Sequence, residues 1–242
     1  MSGPPQHALP LPRARPGTAL LLDAAGTLLH PSAPVAETYA RHARRFGVAI
    51  DPSRIAARFP AAFAEARPLL RNTPDWRDFW SVVVARSTGC DDPSLVDALV
   101  EHFAGPRAWT LAADARACCE AVRERGMKVA IVSNWDLHLR PLLRAMKVLD
   151  WVDLLLVSAE EGLEKPEPTL FHRACARLGV EPNAALHVGN DPGDDLAGAR
   201  AAGCPALLLG PARIDASEPH IADFPALTRL LLSPPSPCEP SP

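Results

Sequence analysis

Short apolar runs alternate with helical segments along most of the chain. Five runs of four to six residues are rich in Leu, Val, Ile and Ala, as in strands that are buried on both faces of a parallel sheet. They occupy residues 18–22, 128–132, 152–157, 185–188 and 205–209. Amphipathic helical segments lie between them, at residues 113–125, 137–148 and 168–178. This order predicts an α/β fold with a doubly wound parallel sheet, which binds ligands beyond the carboxyl ends of its strands.

The long segment between the first two runs, residues 31–106, has helical periodicity throughout. Its apolar side chains recur every three or four residues, as at Val35, Tyr39 and Phe46, at Trp76, Phe79, Trp80 and Val83, and at Leu95, Leu99 and Phe103. We therefore predict a helical domain inserted in a core formed by residues 17–30 and 107–232. Pro60 and Pro68 are expected to break or kink one of its helices. The proline-rich ends, residues 1–16 and 233–242, are predicted to be disordered tails.

Composition narrows the classes of partner. A formal net charge of -3 argues against a nucleic-acid-binding protein, because phosphate backbones select clustered positive charge. No apolar run is long enough to span a bilayer, and the N-terminal residues lack a signal-peptide pattern. The six cysteines include no CxxC motif, which favours reduced thiols. We expect a cytoplasmic protein that binds a small molecule and no membrane.

Polar residues follow the predicted strands, where a doubly wound sheet places its ligand. Asp23 follows the first run, Ser133 and Asn134 follow the second, Lys165 precedes the fourth, and an acidic stretch at 190–195 follows the fourth. A carboxylate can act as a covalent nucleophile on phosphorus, and hydroxyl and ammonium groups can hold the phosphate oxygens. The sequence therefore predicts a phosphate-directed active site at this edge.

The order of these motifs resembles the haloacid dehalogenase (HAD) superfamily. The sequence has DAAGTL at 23–28, SN at 133–134, KP at 165–166 and VGNDPGDD at 188–195, followed by GARAAG at 198–203. The helical insertion after the first motif is similar to the cap of the subfamily that includes 2-haloacid dehalogenases and many phosphatases, and to the branch named haloacid dehalogenase-like hydrolase domain-containing proteins. The resemblance implies a Rossmann-like core with an inserted helical cap.

The resemblance also implies a function and assigns residues to it. The implied enzyme is a Mg2+-dependent phosphatase of a small phosphorylated metabolite, in which Asp23 takes the phosphoryl group and Lys165 screens its charge. The residues implied to position the phosphate are Thr27, Ser133 and Asn134. The implied metal ligands are Asp23, the backbone carbonyl of Ala25, Asn190, Asp191 and Asp195.

Two positions depart from the family pattern. Most HAD phosphatases carry an acid/base Asp where this chain has Ala25, and they usually have an Asp at the position of Asn190. Loss of a general acid costs roughly 10²–10⁴ in rate, so slow turnover is expected. A 2-haloacid dehalogenase and a binding protein without turnover remain alternatives. Phosphonoacetaldehyde hydrolases also have Ala at this position, but they need a cap lysine, and residues 31–106 contain no Lys.

Overall fold

A computed structural model describes residues 10–71, 76–210 and 218–234 of the 242-residue chain. The chain divides into two compact units. The first comprises Met1–Leu28, Leu111–Asn134 and Lys147–Pro242, and the second comprises Leu29–Thr110 and Trp135–Met146.

The described elements follow one another in an alternating order. The strands are β1 (Ala19–Leu22), β2 (Leu29–Pro31), β3 (Trp109–Leu111), β4 (Lys128–Ser133), β5 (Leu154–Val157), β6 (Ala185–Gly189), β7 (Ala206–Leu209) and β8 (His220–Ile221). The α-helices are α1 (Val35–Arg45), α2 (Pro52–Ala66), α3 (Arg77–Thr88), α4 (Pro93–Ala104), α5 (Ala115–Glu124), α6 (Leu139–Ala145), α7 (Ser158–Glu161), α8 (Pro168–Leu178), α9 (Gly198–Ala201) and α10 (Phe224–Leu232).

A parallel sheet forms the centre of the first unit. Its strand order is β5-β4-β1-β6-β7-β8, and every neighbouring pair is parallel. Leu22 at the end of β1 pairs with Ile131 of β4 on one side and Val188 of β6 on the other, so these three strands end close together. The doubly wound parallel sheet predicted from the sequence is confirmed, with each of the five predicted strands found within two residues of its expected bounds. The two-residue strand β8 was not predicted.

Burial of apolar side chains explains why these segments form a sheet. All four residues of β1 are fully buried, as expected for the central strand of a sheet covered on both faces. Leu21, Val132 and Leu156 pack in one cluster with Leu170 and Phe171 of α8. Helix α5 also contacts β4, and α10 packs against α5.

The second unit contains the predicted helical insertion. Helices α1 to α4 enclose two apolar clusters, one around Tyr39 and Leu99 and one around Phe79 and Val83. The helix does not break at Pro60, because α2 continues through it to Ala66. Pro60 lies on the exposed face of α2, while apolar side chains on the opposite face remain packed. The chain leaves the α-helical conformation only afterwards, at a 3₁₀ helix over Arg67–Arg71 that contains Pro68.

The helical unit extends further than the sequence predicted. Trp135–Met146, assigned to the core from its pattern, belongs to this unit. The Trp135 ring lies 5.0 Å from that of Trp109, and the buried carboxylate of Asp136 accepts a hydrogen bond from Trp80. Aromatic contacts of this kind are invisible to a periodicity argument, because they join residues distant in sequence.

The ends of the chain also differ from prediction. The backbone N–H of Ala14 donates to the Leu231 carbonyl at 2.9 Å, and the Arg13 guanidinium donates to the Leu230 carbonyl. Arg13 and Ala14 are therefore bonded to α10, and the tail predicted over residues 1–16 is wrong at these two residues. Residues 1–9 and 235–242 of the two predicted tails lie outside the described residues.

Membrane-spanning helices and cysteines were considered over the described residues. Across the described ranges, no helix combines the length and the apolar character needed to cross a membrane. The five cysteines in the described ranges are buried free thiols, at positions 90, 118, 119, 175 and 204.

Candidate active site

Asp23 lies at the carboxyl end of β1, where the sheet register brings three strand ends together. Its backbone N–H donates to the Val188 carbonyl at 3.0 Å, which continues the pairing of β1 with β6 for one more residue. Its side-chain oxygen Oδ1 accepts hydrogen bonds from Ser133 Oγ at 3.0 Å and from Lys165 Nζ at 2.7 Å. No described residue donates a hydrogen bond to the other oxygen, Oδ2. One oxygen of Asp23 is therefore anchored, while the other is available to attack a substrate.

Lys165 connects two buried carboxylates. Its Nζ lies 2.7 Å from Asp23 Oδ1 and 2.6 Å from Asp195 Oδ1, and the lysine side chain is only 3% exposed. The side-chain amide of Asn134 donates to the Lys165 carbonyl at 2.9 Å and accepts from the Lys165 N–H at 2.7 Å. Asn134 thus holds the lysine backbone at both of its hydrogen-bonding groups. The phosphate contact implied for Asn134 stays a prediction, and this supporting role was not predicted.

Asp195 is bonded at both carboxylate oxygens. Oδ1 accepts from Lys165 Nζ at 2.6 Å and lies 3.0 Å from His187 Nε2. Oδ2 accepts from the backbone N–H groups of Asn190 and Asp191, each at 2.9 Å. These four bonds use the full acceptor capacity of a carboxylate. Asp195 therefore acts here as a structural anion that fixes Lys165.

Gly189 makes room for this arrangement. A Cβ atom at position 189 would lie 2.1 Å from Cγ of Asp195, far inside contact distance. The strand must therefore end in a glycine for the carboxylate to take its place.

Burial and pairing shift the pKa values of the three charged groups. Burial raises the pKa of Asp23 above its ordinary value, and the attraction of Lys165 only partly opposes this effect. Burial alone would lower the pKa of Lys165, but the two carboxylates outweigh it and raise the pKa. Burial alone would raise the pKa of Asp195, but Lys165 and His187 hold that pKa well below its usual range. Lys165 and Asp195 consequently form a stable ion pair at neutral pH.

The implied metal site is only partly available in this arrangement. Asp195 is fully bonded, and Asp191 Oδ1 caps the following helical turn by accepting from the N–H groups of Gly193 at 2.8 Å and Asp194 at 2.7 Å. No cluster of three or more His, Cys, Asp or Glu side chains suited to a metal ion occurs in the ranges described.

Asp23 Oδ2, the Ala25 carbonyl and the Asn190 amide oxygen remain from the implied set, whereas Asp191 keeps only Oδ2, because its Oδ1 is used in the cap. Mg2+ accepts such a site when water and substrate phosphate complete its coordination, since it commonly uses only one or two carboxylates. The residues present therefore fit Mg2+, with Asp23 as the one implied carboxylate that is neither fully bonded nor part of a helix cap.

The side chains of Thr27 and Asn190 contact one another. Thr27 is fully buried, and its hydroxyl donates to Asn190 Oδ1 at 3.3 Å. Gly26 adopts φ 76°, and a Cβ there would lie 2.6 Å from Asn190 Nδ2. The turn after β1 thus requires glycine for its backbone conformation and for the close approach of Asn190.

Sequence reasoning identified the residues of this cluster but not all their roles. Asp23, Ser133 and Lys165 meet as predicted, whereas His187 was not among the predicted site residues. Its contact with Asp195 spans 8 residues, from a strand to the turn that follows it. A single polar residue inside the apolar run 185–188 was the available signal.

Comparisons with known proteins agree with the fold. A family model described as a haloacid dehalogenase-like hydrolase matches residues 18–203. The chain is 32% identical over 232 residues to haloacid dehalogenase-like hydrolase domain-containing protein 3 of Mus musculus, covering 88% of this chain and 91% of that protein.

A curated phosphatase and a solved dehalogenase are also similar. A ribulose-1,5-bisphosphate 5-phosphatase of Halopiger xanaduensis is 36% identical over 111 residues, which are 45% of this chain and 46% of that protein. A crystal structure described as a dehalogenase superposes with a TM-score of 0.69 at 25% identity, covering 90% of this chain and 98% of that one.

Proposed function

Since the chain belongs to the haloacid dehalogenase-like hydrolases, we propose that it hydrolyses a phosphate monoester of a small metabolite through an aspartyl-phosphate at Asp23. The observation that carries this proposal is the state of the Asp23 carboxylate. One oxygen is fixed by Ser133 and Lys165, and the other has no donor among the described residues. The similarity to a ribulose-1,5-bisphosphate 5-phosphatase supports phosphorus as the site of attack.

The first step transfers the phosphoryl group to Asp23. Oδ2 attacks phosphorus, a new P–O bond forms to the carboxylate, and the bond to the ester oxygen breaks. Lys165 lies against the same carboxylate and neutralises charge that develops on the transferred group. In the second step water attacks phosphorus, which releases inorganic phosphate and restores the carboxylate. A bound Mg2+ would supply further neutralisation of the phosphate charge.

Ala25 determines how fast the first step proceeds. The ester oxygen leaves with a negative charge unless an acid protonates it, and the methyl side chain of Ala25 cannot donate a proton. Without such an acid the rate falls by roughly 10²–10⁴. We therefore expect slow turnover of alkyl phosphates and faster turnover of esters whose leaving groups are already acidic.

A panel of phosphate esters, assayed with Mg2+ and with EDTA, tests this function. Phosphate release is expected to be faster for 4-nitrophenyl phosphate than for alkyl esters. Asp23→Asn should abolish release, whereas Asp114→Asn, which alters an exposed aspartate elsewhere in the same unit, should leave it unchanged. Acid quenching during turnover should trap a phosphorylated protein, and this product should be absent from Asp23→Asn. Absence of release across the panel would reject the proposal, and calorimetric binding of phosphate without turnover would point to a binding protein.

Ala25 also favours a second candidate, hydrolysis of a short 2-haloacid. A halide leaves without needing a proton, so the missing acid has no cost in this reaction. Attack by Asp23 on carbon would form an ester and expel halide, and water would then release the 2-hydroxyacid. The similarity to a protein described as a dehalogenase is consistent with this chemistry. Chloride release from 2-chloropropionate in EDTA supports this candidate, and its absence rejects it.

A further inference from the structure

His187 is a fully buried histidine in the middle of β6. Its Nε2 lies 3.0 Å from Asp195 Oδ1, and its Nδ1 has no hydrogen-bond partner among the described residues. A carboxylate can only accept, so the hydrogen must be on Nε2. The edge-to-face contact with Phe171, at 5.0 Å between ring centres, fixes the plane of the imidazole. The ring is therefore held with one donor aimed at Asp195.

The unpartnered Nδ1 makes this residue an unfavourable choice for packing alone. A buried polar atom without a partner costs roughly 1–3 kcal/mol, and the other residues of β6 are apolar or glycine. A leucine or phenylalanine would fill the same place without that cost. The bond from Nε2 to Asp195 is the one feature that an apolar residue could not reproduce.

Asp195 needs two separate restraints to hold its carboxylate plane. The backbone N–H groups of Asn190 and Asp191 both bind Oδ2 and so fix one oxygen. Oδ1 contacts only Lys165 and His187 among the described residues, and Lys165 is itself divided between two carboxylates, at 2.6 Å and 2.7 Å. His187 is thus the restraint on Oδ1 that does not depend on the position of Lys165.

We propose that His187 is a positioning residue that fixes the rotation of the Asp195 carboxylate and thereby keeps Lys165 on Oδ1 of Asp23. His187 acts through Asp195 and does not touch the substrate. The expected change in kcat rests on the proposed function, whereas the expected change in the positions of Asp195 and Lys165 does not. A displacement of about 1 Å at a catalytic group can lower the rate by roughly 10²-fold.

His187→Phe and His187→Gln separate hydrogen bonding from packing. Phenylalanine fills the space without a donor, and the amide of glutamine can place an N–H near the position of Nε2. We expect His187→Phe to lower kcat about 10²-fold with KM little changed, because the phosphate-binding groups remain present. His187→Gln should recover most of that loss. His172→Phe is the matched control, because it removes an exposed histidine that hydrogen-bonds the Ala202 carbonyl at 3.0 Å in the same unit.

Crystal structures of the full-length parent and both variants supply a readout independent of activity. In His187→Phe the Asp195 carboxylate should rotate and the contact between Lys165 and Asp23 should lengthen, while His187→Gln should keep the parental geometry. If His187→Phe does not fold, His187→Leu serves the same comparison with less bulk.

Two results would overturn the inference. One is parental kcat and parental geometry in the apolar variant. The other is an equal loss in the apolar and glutamine variants, which would assign the effect to packing. If the parent itself hydrolyses no phosphate ester, the proposed function fails and the crystal structures alone decide the role of His187.

Discussion

The two sides of the Asp23 carboxylate differ in charge and in bonding. On one side, the lysine side, Ser133, Lys165 and Asp195 form a buried network that is joined to Asp23 by hydrogen bonds. On the other side, the alanine side, Ala25 and Asn190 stand at positions where the family usually has carboxylates. In the proposed function the lysine side holds the nucleophile, whereas proton transfer and metal binding belong to the alanine side. The hydrogen bonds of the lysine side are all present in the structure, whereas the alanine side lacks the acid and the carboxylate that the family pattern places there.

The largest effect is expected from removing the cation of the lysine side. Lys165→Met leaves the Asp23 and Asp195 carboxylates buried without their common partner, which should reduce the free energy of unfolding by about 3–5 kcal/mol. Loss of electrostatic stabilisation should also lower kcat by at least roughly 10²-fold. Thermal unfolding and phosphate release measure the two effects. Lys128→Met, at a lysine whose side chain is 53% exposed, is the control, and equal losses in both variants would contradict the comparison.

A smaller effect, opposite in sign, is expected from restoring an acid on the alanine side. Ala25→Asp should raise turnover of alkyl phosphates by about 10²-fold, because a carboxylic acid can then protonate the leaving oxygen. Ala25→Asn has nearly the same shape and cannot act as this acid, so its turnover should stay at the parental value. Steady-state kinetics on one alkyl and one aryl ester would test this, and the gain should be larger for the alkyl ester. Equal gains in both variants would mean that size, rather than proton transfer, limits the parent.

The smallest effect concerns metal affinity on the alanine side. Asn190→Asp adds a second carboxylate to the donors that fit Mg2+, and we expect roughly tenfold tighter binding, which corresponds to about 1.4 kcal/mol. Isothermal titration calorimetry with Mg2+ alone measures this without reference to activity. Asp191→Asn should leave the affinity unchanged, because that side chain caps Gly193 and Asp194 and an amide can do the same. A large loss in Asp191→Asn would restore Asp191 to the set of ligands.

The sequence predicted the sheet better than it predicted the partners within the site. The strands could be predicted because short continuous apolar runs such as β1 are typical of strands that are buried on both faces of a sheet. The two-residue strand β8 and the three-residue strands β2 and β3 are too short to show a period. The placement of Asp23, Ser133 and Lys165 at one edge followed from topology alone.

The hydrogen-bond partners within the site could not be predicted from the sequence pattern in the way that the strands could. Asn134 binds the Lys165 backbone across 31 residues, and Asp195 accepts from His187 in the middle of the preceding strand. Such pairs depend on the path of a loop and on which oxygen a carboxylate presents, and neither is encoded in spacing. The resemblance placed Asp191 and Asp195 among the metal ligands, whereas in the structure both oxygens of Asp195 and Oδ1 of Asp191 are engaged within the protein.

Gly189 has a consequence for how this site can change over evolutionary time. Cβ of any replacement would lie 2.1 Å from Cγ of Asp195 and 2.5 Å from its Cβ. Because the second contact would remain after truncation of the acid to alanine, loss of the carboxylate alone does not open position 189 to other residues. Glycine is thus expected to persist at 189 even in descendants that have lost the acid at 195.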